Sequence, residues 1–218
     1  MRPVWKITLL AVLGVALAGC GESGQARVEG NKPQAERRGV AAKPDLGVTV
    51  TKPDDWYQMS DNDADRMMQR GIDVAAGDDK AMARAMDASR ARSVALFAVL
   101  QFPPGAPVPF NPSLLGNAED VGDMPGIQRG ADYFFHVRRT LSASGLAYEV
   151  VSEPAPYTID GQSFDRAELR MTINGITVEQ AIYLARHADY MISIVQSWSG
   201  DEQRATTQAV LDGIKLDW

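Results

Sequence analysis

Residues 164–197, FDRAELRMTINGITVEQAIYLARHADYMISIVQS, decide the fold. They divide into three β-prone runs, Phe164–Ile173, Thr177–Arg186 and Tyr190–Ser197, rich in residues that pack well on a pleated surface. Asn174-Gly175 separates the first two, and both residues tolerate the positive φ angles of a tight hairpin turn. His187-Ala188-Asp189 separates the second from the third. Along the first run Arg166, Glu168 and Arg170 alternate with Ala167, Leu169, Met171 and Ile173. A period of two puts the charges on one face and the apolar side chains on the other, so the sheet has one covered face and one polar face. Two shorter runs, Ala147–Ser152 and Tyr157–Ile159, precede this meander, with Asp160-Gly161 as the intervening turn.

Helical patterns flank it. Residues Ala131 to Ser142 place Tyr133, Phe134, Val137 and Leu141 on one stripe. After the meander, Ser199-Gly200-Asp201-Glu202 reads as a capping box opening a helix from Asp201 to about Gly213, with Ala205, Ala209, Val210 and Ile214 as its inner stripe. Upstream, Gly47–Val50 is a short strand. Ser60 to about Gly77 is a helix capped by Ser60 or Asp61, and Asp78–Ser89 a second helical piece carrying Met82 and Met86. Val94–Phe102 is a strand buried on both faces, followed by a Pro/Gly/Asn-rich loop over Pro103–Gln128. The order β, αα, β, α, five β, α predicts an α+β domain: an antiparallel β-sheet meander flanked by helices.

The chain opens differently. Arg2 and Lys6 precede an apolar run, Ile7 to Leu17, too short to span a bilayer as a helix, which ends on Leu17-Ala18-Gly19-Cys20. That ending resembles the bacterial lipobox. The resemblance implies a lipoprotein signal peptide over residues 1–19, cleavage before Cys20, a diacylglyceryl group on its sulfur and an acyl chain such as palmitate on the new amino end. Cys20 is the single cysteine of 218 residues, and lipidation accounts for an odd thiol in an oxidising compartment. By the usual bacterial sorting convention Gly21, not being Asp, points to the outer membrane, with the domain facing the periplasm. Residues 21–45, GESGQARVEGNKPQAERRGVAAKPD, carry too little apolar surface to form a core, and residues 20–45 read as a lipidated, flexible tether. Residues 46–218 form the domain.

Residues 1–19 contribute two basic side chains and no acid, so the mature chain holds 20 basic against 28 acidic residues, a net of −8. An acidic domain is a poor partner for nucleic acid and is repelled by anionic lipid headgroups, so membrane affinity comes from the anchor on Cys20. With one cysteine there is no intrachain disulfide, and about 170 residues suffice for an unaided core.

Sequence motifs for chemistry are sparse. Asp61-Asn62-Asp63-Ala64-Asp65 starts like a calcium loop, but its sixth and twelfth positions are Arg66 and Ile72 instead of Gly and Glu. The chain lacks a nucleophile elbow, a phosphate-binding glycine loop and a dinucleotide fingerprint. The two histidines are His136, four residues after Asp132 on the third helix, and His187 at a turn. No catalytic residue, metal ligand or cofactor is assigned. Met67, Met68, Met82 and Met86 read as core filler. In the long loop, Phe110, Asn111, Leu114 and Leu115 are the candidate partner-binding residues; Phe110, Leu114 and Leu115 are large apolar side chains in a Pro-rich segment.

Pro53-x-x-Trp56 after the first strand, Phe110-Asn111-Pro112-Ser113, Ile159-Asp160-Gly161, the meander from Phe164 to Ser197 and the terminal helix ending near Leu211 together resemble the PsbP-like superfamily of α/β/α sandwiches. Its bacterial envelope members include lipoproteins of the DcrB and LpqN kind. The resemblance covers about residues 46–218 and implies an adaptor or accessory role rather than catalysis. The expectation is a membrane-anchored, non-enzymatic binding module with an envelope protein partner. The alternatives are an envelope hydrolase or metal-dependent enzyme with a site near His136 and Asp132, or a carrier of a small apolar ligand.

Overall fold

A computed structural model describes residues 46–64, 66–67, 69, 80–143 and 146–218. The segments expected to be signal peptide and tether, and Cys20 between them, lie outside the described residues. So do Met68 and most of the segment between the two early helical pieces, and nothing is said of the Met82 side chain.

The strands are β1 (Val48–Val50), β2 (Tyr57–Gln58), β3 (Ser93–Leu100), β4 (Ser113–Asp120), β5 (Tyr148–Ile159), β6 (Gln162–Ile173), β7 (Ile176–His187), β8 (Tyr190–Trp198) and β9 (Ile214–Leu216). Three helices are described in full: α1 (Lys80–Arg90), α2 (Gly130–Ala143) and α3 (Asp201–Asp212). Backbone at 61–64 is also helical. Ser60 caps it as expected, with the Asp63 amide donating to Ser60 Oγ at 3.2 Å.

Seven strands form one sheet in the order β2-β3-β4-β8-β7-β6-β5, every pair antiparallel. The meander runs from β5 to β8 as the sequence predicts. Asn174 and Gly175 take φ of 50° and 80°, the left-handed pair that a two-residue hairpin requires. β1 and β9 pair separately, so the chain's last strand closes on the domain's first.

The fold class is α+β, with a helix on each face of the sheet. Tyr133, Phe134, Val137 and Leu141 of α2, the stripe read from sequence, pack on Leu169, Met171, Val178, Ile182, Leu184, Met191 and Val195. On the opposite face Val210 and Leu211 of α3 pack on Leu114, Ala181, Tyr183, Ile192, Ile194 and Trp198. Alternate residues of the same strands serve the two cores, so β7 and β8 are apolar on both sides over most of their length. α3 covers β8 and β4, and on the same face of β5–β7 a row of charged residues stays at least partly exposed beside the buried Ala181 and Tyr183. There Arg170 pairs with Glu149 (3.2 Å) and Glu179 (3.1 Å), and Arg166 pairs with Glu168. This is the polar half-face that the alternation of β6 predicts.

Several expectations need correction. The Pro103–Gln128 segment is not one long loop, because β4 lies within it and occupies the middle of the sheet. Its sequence, Ser-Leu-Leu-Gly-Asn-Ala-Glu-Asp, lacks β-branched residues, and pairing on both sides with β3 and β8 overrides that weak propensity. The runs Ala147–Ser152 and Tyr157–Ile159 are one strand, β5, carried through Pro154 and Pro156 by two register shifts. Such prolines are tolerated because β5 is an edge strand. The capping box at Ser199 does not form. Gly200 is the N-cap without a side-chain hydrogen bond, and the Ser199 amide donates instead to Gln203 Oε1 at 2.9 Å. The inner stripe of α3 is Thr207, Val210 and Leu211, while Ala205 and Ala209 are exposed and Ile214 belongs to β9.

Candidate functional site

The four residues proposed from sequence as a partner surface are inside or against the core. Phe110 and Leu114 are buried in the α2-side and α3-side clusters respectively. Asn111 is buried and ties the turn between β3 and β4. It accepts from the Phe102 amide at 2.9 Å and donates to the Phe102 carbonyl at 2.8 Å. Leu115 is half-buried against Ala98 and Leu100. Phe110, Asn111 and Leu114 hold the domain together, and Leu115 keeps part of its side chain at the surface. Large apolar residues in a Pro-rich stretch look alike whether they pin a loop or face a partner, and only the sheet order separates the two.

Asp132 and His136 do not form a shared site. Asp132 Oδ2 accepts the amides of Gln128 (3.0 Å) and Arg129 (3.1 Å), satisfying orphan donors at the start of α2. His136 lies edge-on to Phe135, and burial followed by the Arg139 charge holds its pKa below the ordinary value. His187 stacks on Trp218 at 4.7 Å between ring centroids. Among the described residues no three His, Cys, Asp or Glu side chains gather to hold a metal.

Two features absent from the sequence reading emerge. The first is a buried cluster around Glu119 on β4. Tyr133 of α2 donates to Glu119 Oε2 at 2.6 Å, and Arg92 approaches Oε1 at 3.4 Å while holding Asp123 at 3.1 Å. Burial pushes the Glu119 carboxyl up to about 7, against the lowering pull of Tyr133 and Arg92. The group is enclosed and already bonded, which suits a clamp between α2 and the sheet better than a catalytic acid that must meet substrate.

The second is a surface. Phe135 is 61% exposed and Val151 40%, the exposed large apolar side chains among the described residues. Phe135 lies one turn before Arg138 on α2, and Arg138 pairs with Glu153 of β5 at 3.0 Å. Val151 sits two residues before Glu153, at the first register shift of β5. Each of the two apolar residues thus lies on the same element as one partner of an ion pair that bridges α2 to the outer edge of the sheet. Pro154 and Pro156 remove amide donors from that edge, and the register shifts bend it, so it is a poor template for an added strand. Tyr133 and Phe134, next to Phe135, face the core. The signal available in sequence was a third consecutive aromatic, which a single helical stripe cannot bury.

No family model and no curated protein sequence matches the chain. It is similar to solved structures at low identity. One is a protein of Bacteroides thetaiotaomicron, with 10% identity, a TM-score of 0.40, and coverage of 79% of this chain and 46% of that one. This chain thus spans about half the length of that protein. Another is LpqN of Mycobacterium tuberculosis, involved in cell envelope biogenesis, with 14% identity, a TM-score of 0.37, and coverage of 76% and 79%. A third is the cyanobacterial PsbP (CyanoP) of Synechocystis, with 10% identity, a TM-score of 0.45, and coverage of 85% and 100%. Among the described residues no helix is long and apolar enough to cross a membrane.

Proposed function

We propose that this chain is an envelope lipoprotein, held to the membrane through Cys20, whose domain is a non-enzymatic binding module for another envelope protein. The anchor rests on Leu17-Ala18-Gly19-Cys20 after a short apolar run and two basic residues. Gly21 directs it to the outer membrane, and the tether of residues 21–45 lets the domain sample partners near the bilayer surface.

The observation that carries the binding role is the Phe135–Val151 surface. Burying a Phe side chain is worth about 1.5–3 kcal/mol, and this one is left in water. An exposed aromatic and an exposed aliphatic residue, each close in sequence to one partner of the Arg138–Glu153 pair, have the make-up of an interface hot spot with a polar surround. The blunted edge of β5 points to docking through side chains rather than strand addition.

The test is cross-linking and co-purification of the native lipoprotein from gently solubilised membranes, comparing wild type with Phe135→Ser/Val151→Ser. A defined partner that is lost in the double variant, with Tm unchanged, is the expected result. A partnerless protein in both refutes the reading. Labelled palmitate incorporation that persists in Cys20→Ser refutes the anchor separately.

A further inference from the structure

On the α2-covered face of the sheet the buried polar groups are not paired as they are on the other side. β4 sends Ser113, Leu115, Asn117 and Glu119 to this face, and β8 sets Ser197, Val195, Ser193 and Met191 opposite them. Gln180 of β7 stands beside Ser197. Ser113, Asn117, Gln180, Ser193 and Ser197 are all at least 96% buried. Gln180 donates to Ser197 at 2.9 Å. Yet Asn117 Nδ2 and Oδ1, Ser193 Oγ, Ser113 Oγ and Gln180 Oε1 have no hydrogen-bond partner among the described residues.

The opposite face provides the contrast. There Tyr183 donates to Gln196 Oε1 at 2.9 Å, Gln196 donates to Thr207 Oγ1 at 2.9 Å, and Thr207 donates to the Gln203 carbonyl at 2.9 Å. That network is closed by protein atoms alone. Each buried polar group without a partner costs about 1–3 kcal/mol, so a row of five orphaned atoms is not tolerated in a dry interior.

We propose that this seam, centred on the Asn117–Ser193 pair, is an internal binding site for a small neutral molecule that both donates and accepts hydrogen bonds. The orphaned atoms define the chemistry. Asn117 Nδ2 donates, Asn117 Oδ1 and Gln180 Oε1 accept, and the serine hydroxyls do either. None is charged, and the nearby Glu119 carboxylate already has Tyr133 and Arg92, so an ion entering here leaves water without a counter-charge. Bound water and a polar solute with amide or hydroxyl groups share this chemistry. The row offers the several contacts that a buried water typically makes.

Two measurements on the full-length protein in detergent test the site. Water-to-protein NOE spectra read long-lived water at the Asn117 side-chain amide, and native mass spectrometry reads a retained solute. Cross-peaks at Asn117 identify water as the occupant, and a discrete mass adduct identifies a solute. Either signal is expected to disappear in Asn117→Leu. Ser193→Ala, a smaller change, is expected to weaken it should the leucine variant fail to fold. An Asn117 amide without water contact, in a protein without an adduct, overturns the proposal.

Discussion

The Tyr133 hydroxyl and the Glu119 carboxylate meet at 2.6 Å across the boundary between α2 and β4, both side chains buried. This contact holds the one carboxyl of the described residues that burial pushes up to about 7, and it ties the helix to the centre of the sheet. A carboxyl raised in the folded state keeps a proton that the unfolded chain releases near its ordinary 4.5.

The stability that Glu119 contributes is therefore fully present below about pH 4.5, falls as pH rises towards 7, and is flat above. The change from this group is about 3 kcal/mol. Glu119→Gln is expected to remove it. Urea denaturation at pH 5 and pH 8 should show a smaller difference in the variant than in wild type, with the variant the more stable protein at pH 8. Equal pH dependence in both would contradict a raised Glu119 pKa.

Gly130 opens α2 directly against β7. A methyl group there would fall on the Leu184 carbonyl oxygen and against the Leu184 and Asp165 side chains. Backbone cannot yield as a flexible side chain can, so Gly130→Ala is expected to cost about 1–3 kcal/mol. Asp165, which accepts the Ala131 amide at 2.8 Å, would be displaced with it. Thermal melts of Gly130→Ala beside Gly126→Ala, where a methyl meets open space, provide the comparison.

Leu114 is wholly buried at the middle of the α3-side core, and Leu115, its neighbour, is half-buried on the other side. Leu114→Ala is expected to cost about 2.7–5 kcal/mol, and Leu115→Ala clearly less. Chemical denaturation of the two variants reads the difference. A surface loop at this position would instead leave both near wild type.

β9 is three residues long but pairs Ile214, Lys215 and Leu216 with Val50, Thr49 and Val48. Asp160 fastens it from the β5–β6 turn, accepting from Lys215 Nζ and the Leu216 amide, each at 2.8 Å. Truncation after Gly213 is expected to lower Tm and to make residues 46–50 sensitive to protease. An unchanged melt would show that the terminal pairing adds nothing.

The meander, the α2 stripe and the polar half-face of β6 were legible from sequence because each is written in neighbours along the chain. A period of two, a period of 3.6 and an Asn-Gly turn need no knowledge of distant residues. Ser60 as a helix cap belongs to the same class. By contrast, β4 has a sequence that reads as loop, and it is a strand because β3 and β8 complete its hydrogen bonds from either side. Leu114 was visible as an apolar residue, but whether it faced water depended on that placement. The Glu119–Tyr133 contact, the orphaned Asn117 and the exposed Phe135 likewise depend on which elements face one another. The linear chain determined its strands, turns and helix faces through local geometry. Which polar groups were buried, and which apolar ones were left in water, was decided by the order of strands in the sheet, because burial is a property of contacts between residues far apart in sequence.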